Sequence, residues 1–114
     1  MDLTGKQKRF LRARGHALKP LLHIGKHGLA EQVIQQVQVC LEAHELVKIK
    51  LLESCPLERD ECAGALALAT GAAVAQTLGR TVLLYRARAE NPSLELPPGR
   101  ARPGAGDPAG GPAA

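Results

Sequence analysis

Aromatic residues are nearly missing from this sequence: Phe10 and Tyr85 are the only two among 114 residues, and there is no tryptophan. A chain so poor in rings cannot build the exposed platform on which RRM sheets and OB folds stack bases. Any nucleic acid it holds is therefore contacted through phosphate and sugar, and read by shape more than by base identity. Tyr85 alone serves a core better than a recognition surface. Long apolar runs are also lacking; none approaches the ~18 residues that a membrane span needs. The first residues, Met1-Asp2-Leu3-Thr4, lead into basic rather than apolar sequence, so no secretory signal is expected and the cytoplasm is the expected compartment. Cysteine is sparse and odd in number. Cys40, Cys55 and Cys62 have no paired spacing, which argues against a disulfide framework or a C-x-x-C redox or zinc site. They are expected to act as small buried hydrophobes.

What is present is a charge asymmetry. Residues 1–28 hold seven Lys and Arg against Asp2 alone, whereas residues 29–62 hold three basic against seven acidic residues. The overall charge of +4 conceals this gathering of positive charge at one end. A solvated helix carrying lysines for solubility would mix in more glutamate, so a polyanionic partner is the better reading.

Hydrophobic periodicity and turn chemistry predict seven elements. Thr4 with Gln7 forms a capping box that opens a helix running to about Arg14, with Gly15 as its stop. Lys6, Lys8, Arg9 and Arg12 populate this helix, Lys8 and Arg12 sharing one face. Lys19-Pro20 breaks the chain, and Leu21–Ile24 is a short strand. From Leu29 a helical stripe of Leu29, Val33, Val37, Cys40 and Leu41 runs to near His44. Residues 46–52 alternate as a strand, with Val47, Ile49 and Leu51 on one side and Lys48 and Lys50 on the other. A third helix is expected with Pro56 in its first turn and Gly71 as its stop. Strands over 73–78 and 81–87 flank Gly79-Arg80, a pair suited to a tight hairpin. Residues 97–114 are almost wholly Pro, Gly and Ala and are expected to be a disordered tail behind a single domain over 1–96. The order helix-strand-helix-strand-helix-strand-strand implies an α/β sandwich on a four-stranded mixed sheet, with crossovers through the second and third helices and a final antiparallel hairpin.

The junction between the first strand and the second helix is Gly25-Lys26-His27-Gly28. A helix N-terminus following a strand presents free amide groups that attract anions. Flanking glycines permit unusual dihedrals and let a sugar-phosphate backbone come close. Lys26 supplies charge and His27 a further donor. KH domains clamp nucleic-acid backbone with a G-x-x-G loop of this kind. The loop has neither the spacing nor the Ser/Thr of a Walker A motif, and it is not G-x-G-x-x-G. No acidic pair, Ser/His/Asp set or Cys/His pair is placed for catalysis. His16, His23, His27 and His44 are scattered, His23 reading as an ordinary strand residue, and Glu31 serves the helix dipole. No enzyme activity, cofactor, metal or small-molecule substrate is therefore expected.

Several stretches taken together resemble a known family: Leu3-Thr4-Gly5-Lys6-Gln7-Lys8, Leu18-Lys19-Pro20, Gly25-Lys26-His27-Gly28-Leu29, the run His44 to Lys50, and the run Gly79 to Arg86. Over residues 2–96 the chain is similar to the CRM domain, named for chloroplast RNA splicing and ribosome maturation. It is most similar to the stand-alone bacterial members associated with ribosome assembly. The resemblance implies a fold like the C-terminal domain of bacterial translation initiation factor three with an added N-terminal helix. It also implies RNA, most specifically large-subunit ribosomal RNA, as partner. By the same resemblance Gly25, Lys26, His27 and Gly28 are the RNA-binding loop, Lys6, Lys8 and Arg9 the helix cations, and Lys48, Lys50 and Arg86 further basic positions. His27 departs from the family, which often has Asn there, so turn geometry or RNA contact is expected to differ. The rival readings are an RNA-splicing cofactor and a protein-interaction module that uses the tail or the acidic central segment.

Overall fold

The sheet holds its four strands in the order β1-β2-β4-β3, so the last strand in sequence is inserted between the second and third. In the computed structural model, which describes residues 3–87, the elements are α1 (Gly5–His16), β1 (Leu22–Ile24), α2 (Glu31–His44), β2 (Leu46–Leu51), α3 (Arg59–Thr70), β3 (Ala73–Leu78) and β4 (Thr81–Tyr85). The seven elements come in the predicted order. The domain limit at residue 96 and the Pro/Gly/Ala tail lie outside the described residues.

Local chemistry sets most of the boundaries. Thr4 Oγ1 accepts from the Gln7 N–H at 3.1 Å and Gln7 Oε1 accepts from the Thr4 N–H at 3.0 Å, the predicted capping box. The helix does not stop at Gly15. It continues to His16, with Ala17 as the C-cap, and Gly15 is a buried helical residue. Its missing side chain is used for packing: a Cβ there would stand 2.7 Å from Leu83 Cδ2. α2 starts at Glu31, two residues later than its apolar stripe, because Leu29 packs on the core from the loop ahead of the N-cap Ala30. Pro56 is not in the first turn of α3. Glu58 is the N-cap, and Pro56 sits in the preceding loop beside Gly28. Gly71 ends α3 in the left-handed region at φ 74°, as glycine does at a helix stop. Gly79 takes φ 58° in the two-residue turn that joins β3 to β4.

β1 and β2 are parallel, with Leu22 opposite Ile49 and His23 opposite Lys50, joined by the α2 crossover. β4 is antiparallel to both β2 and β3. β3 therefore runs in the direction of β2, as the α3 crossover requires, but with β4 between them. Strand alternation then divides the interior into two layers. Ile24, Val47, Ile49, Leu51, Val82 and Leu84 meet Val37 and Leu41 of α2 and Cys62 and Leu66 of α3. On the other face Leu46, Ala75, Leu83 and Tyr85 meet Leu11 of α1, with Phe10 and Leu3 at the margin. Tyr85 is fully enclosed in this second layer, and burial together with the nearby Glu45 carboxylate pushes its phenol above the ordinary range. The cysteines are free: Cys62 is buried in the first layer, and Cys40 and Cys55 pack half-buried against it.

Candidate nucleic-acid interface

Both parallel strands finish at the same end of the sheet, and the Gly25–Gly28 turn forms there. The Gly28 N–H donates to the Gly25 carbonyl at 3.0 Å, closing a β-turn with Lys26 and His27 at its exposed corners. Gly28 follows at φ 62°, a conformation that costs any residue with a Cβ roughly 1–2 kcal/mol. Gly25 has no such dihedral, and a Cβ on it would meet Ser54 Oγ and Leu52 Cδ1 at 3.5 and 3.6 Å, ordinary contact. The two glycines thus differ in purpose. Gly28 shapes the turn, whereas Gly25 is not required by the local backbone and lies half-buried beside Ser54 and Leu52. Glu45 is the one described non-glycine residue at positive φ, so the His27 backbone asks nothing of its side chain that Asn would supply better. His27 alters what the turn presents, not how it is built.

The free amides belong to the first turn of α2 beginning at Glu31, rather than to Gly28-Leu29. Ala30, the N-cap, makes no side-chain cap bond, and the acid of that turn is Glu31.

The loop is tied to its neighbours at this end. The Leu52 N–H donates to the Ile24 carbonyl at 2.9 Å, and the Leu51 N–H to the Arg80 carbonyl at 2.7 Å. The hairpin tip Gly79-Arg80 therefore lies beside the end of β2, and Arg59 Nη1 donates to the Gly79 carbonyl at 3.3 Å. Arg80 is exposed here, a cation that the sequence reading did not select. Its position becomes visible only with the strand order, since the hairpin tip reaches the loop because β4 pairs with β2.

Alternation along β2 sends Lys48 and Lys50 to the α1 side of the sheet, half-buried and exposed respectively. His23, opposite Lys50 on β1, is exposed on that face too. Leu46, at the far end of β2 from the loop, belongs to the layer under α1. Lys6, Lys8 and Arg9 are exposed on α1 and Arg12 is half-buried. One face thus gathers the α1 cations, Lys48, Lys50 and His23, and it ends at the loop that carries Lys26 and His27.

Arg86 is not part of this gathering. It points to the other side of the sheet, where Nη1 donates to the Thr70 carbonyl at 2.7 Å and to Gln38 Oε1, and Nη2 pairs with Glu42 at 3.5 Å. Its donors tie β4 to α2 and α3. Among the described residues there is no group of three His, Cys, Asp or Glu able to hold a metal, and no helix is long and apolar enough to cross a membrane.

The chain is similar to several known proteins. A relative from Bacillus subtilis named "Probable RNA-binding protein YqeI" is 42% identical over 95 residues, covering 83% of this chain and 99% of the relative. A Haemophilus influenzae protein named "RNA-binding protein" is 35% identical over 95 residues, covering 83% of this chain and 95% of its own. A solution structure of a hypothetical Staphylococcus aureus protein, put forward as an RNA binding protein, superposes with a TM-score of 0.72 at 40% identity, covering 84% of this chain and all of that one. The profile of the CRS1/YhbY (CRM) domain matches residues 3–86, and the chain belongs to that family.

Proposed function

We propose that this protein binds RNA through the Gly25–Gly28 turn and the basic face beside it, without catalysing a reaction, and that its target is ribosomal RNA of the large subunit during assembly. The observation that carries the reading is the joining of turn and face. Gly28 holds Lys26 and His27 outward at the end of a surface that already displays Lys50, His23 and the α1 cations. A backbone lying on that surface meets positive charge along its course and the backbone amides at the first turn of α2. The names of the relatives support RNA as the polyanion. The choice of ribosomal RNA and of the cytoplasm rests on the resemblance to stand-alone bacterial CRM proteins.

The test is affinity for a structured RNA across a salt series, for wild type and a Lys8→Ala, Lys26→Ala, Lys50→Ala triple variant. All three side chains are exposed, so the fold is retained. The expected result is weaker binding and a log–log salt slope shallower by about 2–3, at roughly 0.7–0.9 per lost phosphate contact. An unchanged slope would reject the interface. Sedimentation of lysate on a gradient checks the assembly role, which is sunk if the protein travels with neither ribosomal subunit nor its precursors.

A further inference from the structure

Beyond the loop, the α1 face contains a groove of about 540 Å³ between the C-terminal end of α1 and the start of β1. That size is in the range of pockets that take a small organic group. Its floor is apolar, from Leu18, Leu21 and Leu46, and its rim carries Arg14, Lys19 and Lys48. Among the described residues no carboxylate lines it. Leu18 and Leu21 remain 37% and 47% exposed, on either side of the exposed Lys19 and half-buried Pro20. His44 and Ala17 complete the lining, and a floor of that kind beside three cations suits a ligand with one flat apolar part and an attached anion.

The groove is continuous with the proposed interface. Lys48 belongs to both, and its carbonyl accepts from the Leu21 N–H at 2.9 Å, which fixes the groove wall to β2. From the His23–Lys50 pair to this bond is two residues of strand, about 7 Å, close to one step of an extended polynucleotide. Arg14 is held at the rim by its guanidinium lying 5.0 Å from the Phe10 ring centroid.

We infer that this groove accepts one unpaired nucleotide of the bound RNA, its base on the Leu18-Leu21-Leu46 floor and its phosphate between Lys19, Arg14 and Lys48. The inference rests on the RNA-binding reading and adds to it a preference for RNA with a looped-out or single-stranded residue beside the segment held by the Gly25–Gly28 turn. Contact with an aliphatic floor discriminates weakly among bases, in keeping with the lack of stacking rings.

Fluorescence anisotropy of the full chain tests it with three probes: a short oligouridylate, the same strand with one abasic residue walked along it, and a blunt duplex. The variants are Leu18→Ser with Leu21→Ser, and Lys26→Ala. In wild type one abasic position should weaken binding by roughly threefold to tenfold, the weight of one modest apolar contact. The double serine variant should lose about the same on the intact strand and become insensitive to the abasic walk. Its duplex affinity should be unchanged, whereas Lys26→Ala should weaken binding of the intact strand and of the duplex alike. If the double serine variant binds the intact strand as wild type does, or keeps its abasic sensitivity, the groove assignment is wrong while the RNA reading stands. Loss in that variant of a concentration-dependent self-association, with strand binding intact, would assign the groove to a second copy of the chain and likewise overturn the proposal. Failure of wild type to bind any of the three probes overturns the groove assignment, and failure to bind the structured RNA as well removes both readings.

Discussion

A single methyl group at residue 15 sets two effects of known size against each other. In a helix interior, Gly→Ala stabilises by about 1 kcal/mol through backbone entropy. At Gly15 the new Cβ would lie 2.7 Å from Leu83 Cδ2 and 3.1 Å from Cδ1. Leu83 has little room to retreat, being 2% exposed on a strand paired on both sides. Relieving the overlap means lifting α1 or driving Leu83 off its rotamer, and overpacking of that kind costs roughly 1–3 kcal/mol. The clash should outweigh the propensity gain, so Gly15→Ala is expected to destabilise by about 1 kcal/mol, a fall in Tm of roughly 4–8 °C for a domain of this size. Gly64 in α3 is the control. It is exposed, with nothing within 4 Å of a built Cβ, so Gly64→Ala should stabilise by about 1 kcal/mol. The decisive arm is the Leu83→Ala background. That substitution alone should cost roughly 2–4 kcal/mol, but within it Gly15→Ala should change sign and stabilise. Urea unfolding followed by far-UV circular dichroism measures all four. Were Gly15→Ala to stabilise wild type as much as Gly64→Ala does, the close seating of α1 on β4 would be refuted, and with it the fixed placement of the α1 cations.

Other outcomes follow from the same structure. Gly28→Ala should cost about 1–2 kcal/mol through its left-handed dihedral, whereas Gly25→Ala should leave unfolding unchanged yet weaken RNA binding, a separation visible by pairing urea melts with anisotropy. Arg86→Ala should destabilise by roughly 1–3 kcal/mol, since it strips partners from the Thr70 carbonyl and Gln38, and the salt slope of RNA binding should stay as it was. Burial, with the neighbouring Cys55 and Glu61 adding to it, pushes the Cys62 thiol up to about 11. The folded state then keeps a proton that the unfolded chain gives up near its ordinary value of 9.0. Cys62 therefore contributes stability fully below that value and loses it as pH rises towards 11, so the stability gap between wild type and Cys62→Ala should narrow from pH 8 to pH 10.

The residues that announced themselves in the sequence were those whose reasons are local. Thr4 and Gln7 sit three apart and bond each other, Gly71 needs only its own dihedral, and the Val47-Lys48-Ile49-Lys50 alternation is a property of one strand. Expectation and structure part where the reason lies across the fold. Gly15 looks like a helix stop because a glycine kept bare for a leucine 68 residues later carries no local mark. Pro56 suits a first helical turn as well as it suits the loop against Gly28. Arg86 and Lys50 are both basic residues near strand ends, and only alternation in the assembled sheet sends one towards Gln38 and Thr70 and the other towards the α1 face. Arg80 was passed over because its closeness to the Gly25–Gly28 turn depends on β4 entering beside β2.

That entry of β4 also bears on how the chain reaches its folded state. The β3–β4 hairpin can form by itself across a two-residue turn, but the β2–β4 ladder joins Lys50 to Thr81 and Leu46 to Tyr85 across the whole of α3. Until residues 81–85 leave the site of synthesis, β2 has one neighbour three residues long, and Val47 and Ile49 lack the Leu84 and Val82 that pair with them. Both layers of the interior therefore wait on the last strand, which supplies Val82 and Leu84 to one and Leu83 and Tyr85 to the other. Folding of this domain should be one late, concerted docking of the hairpin, slow by comparison with helical bundles of equal length.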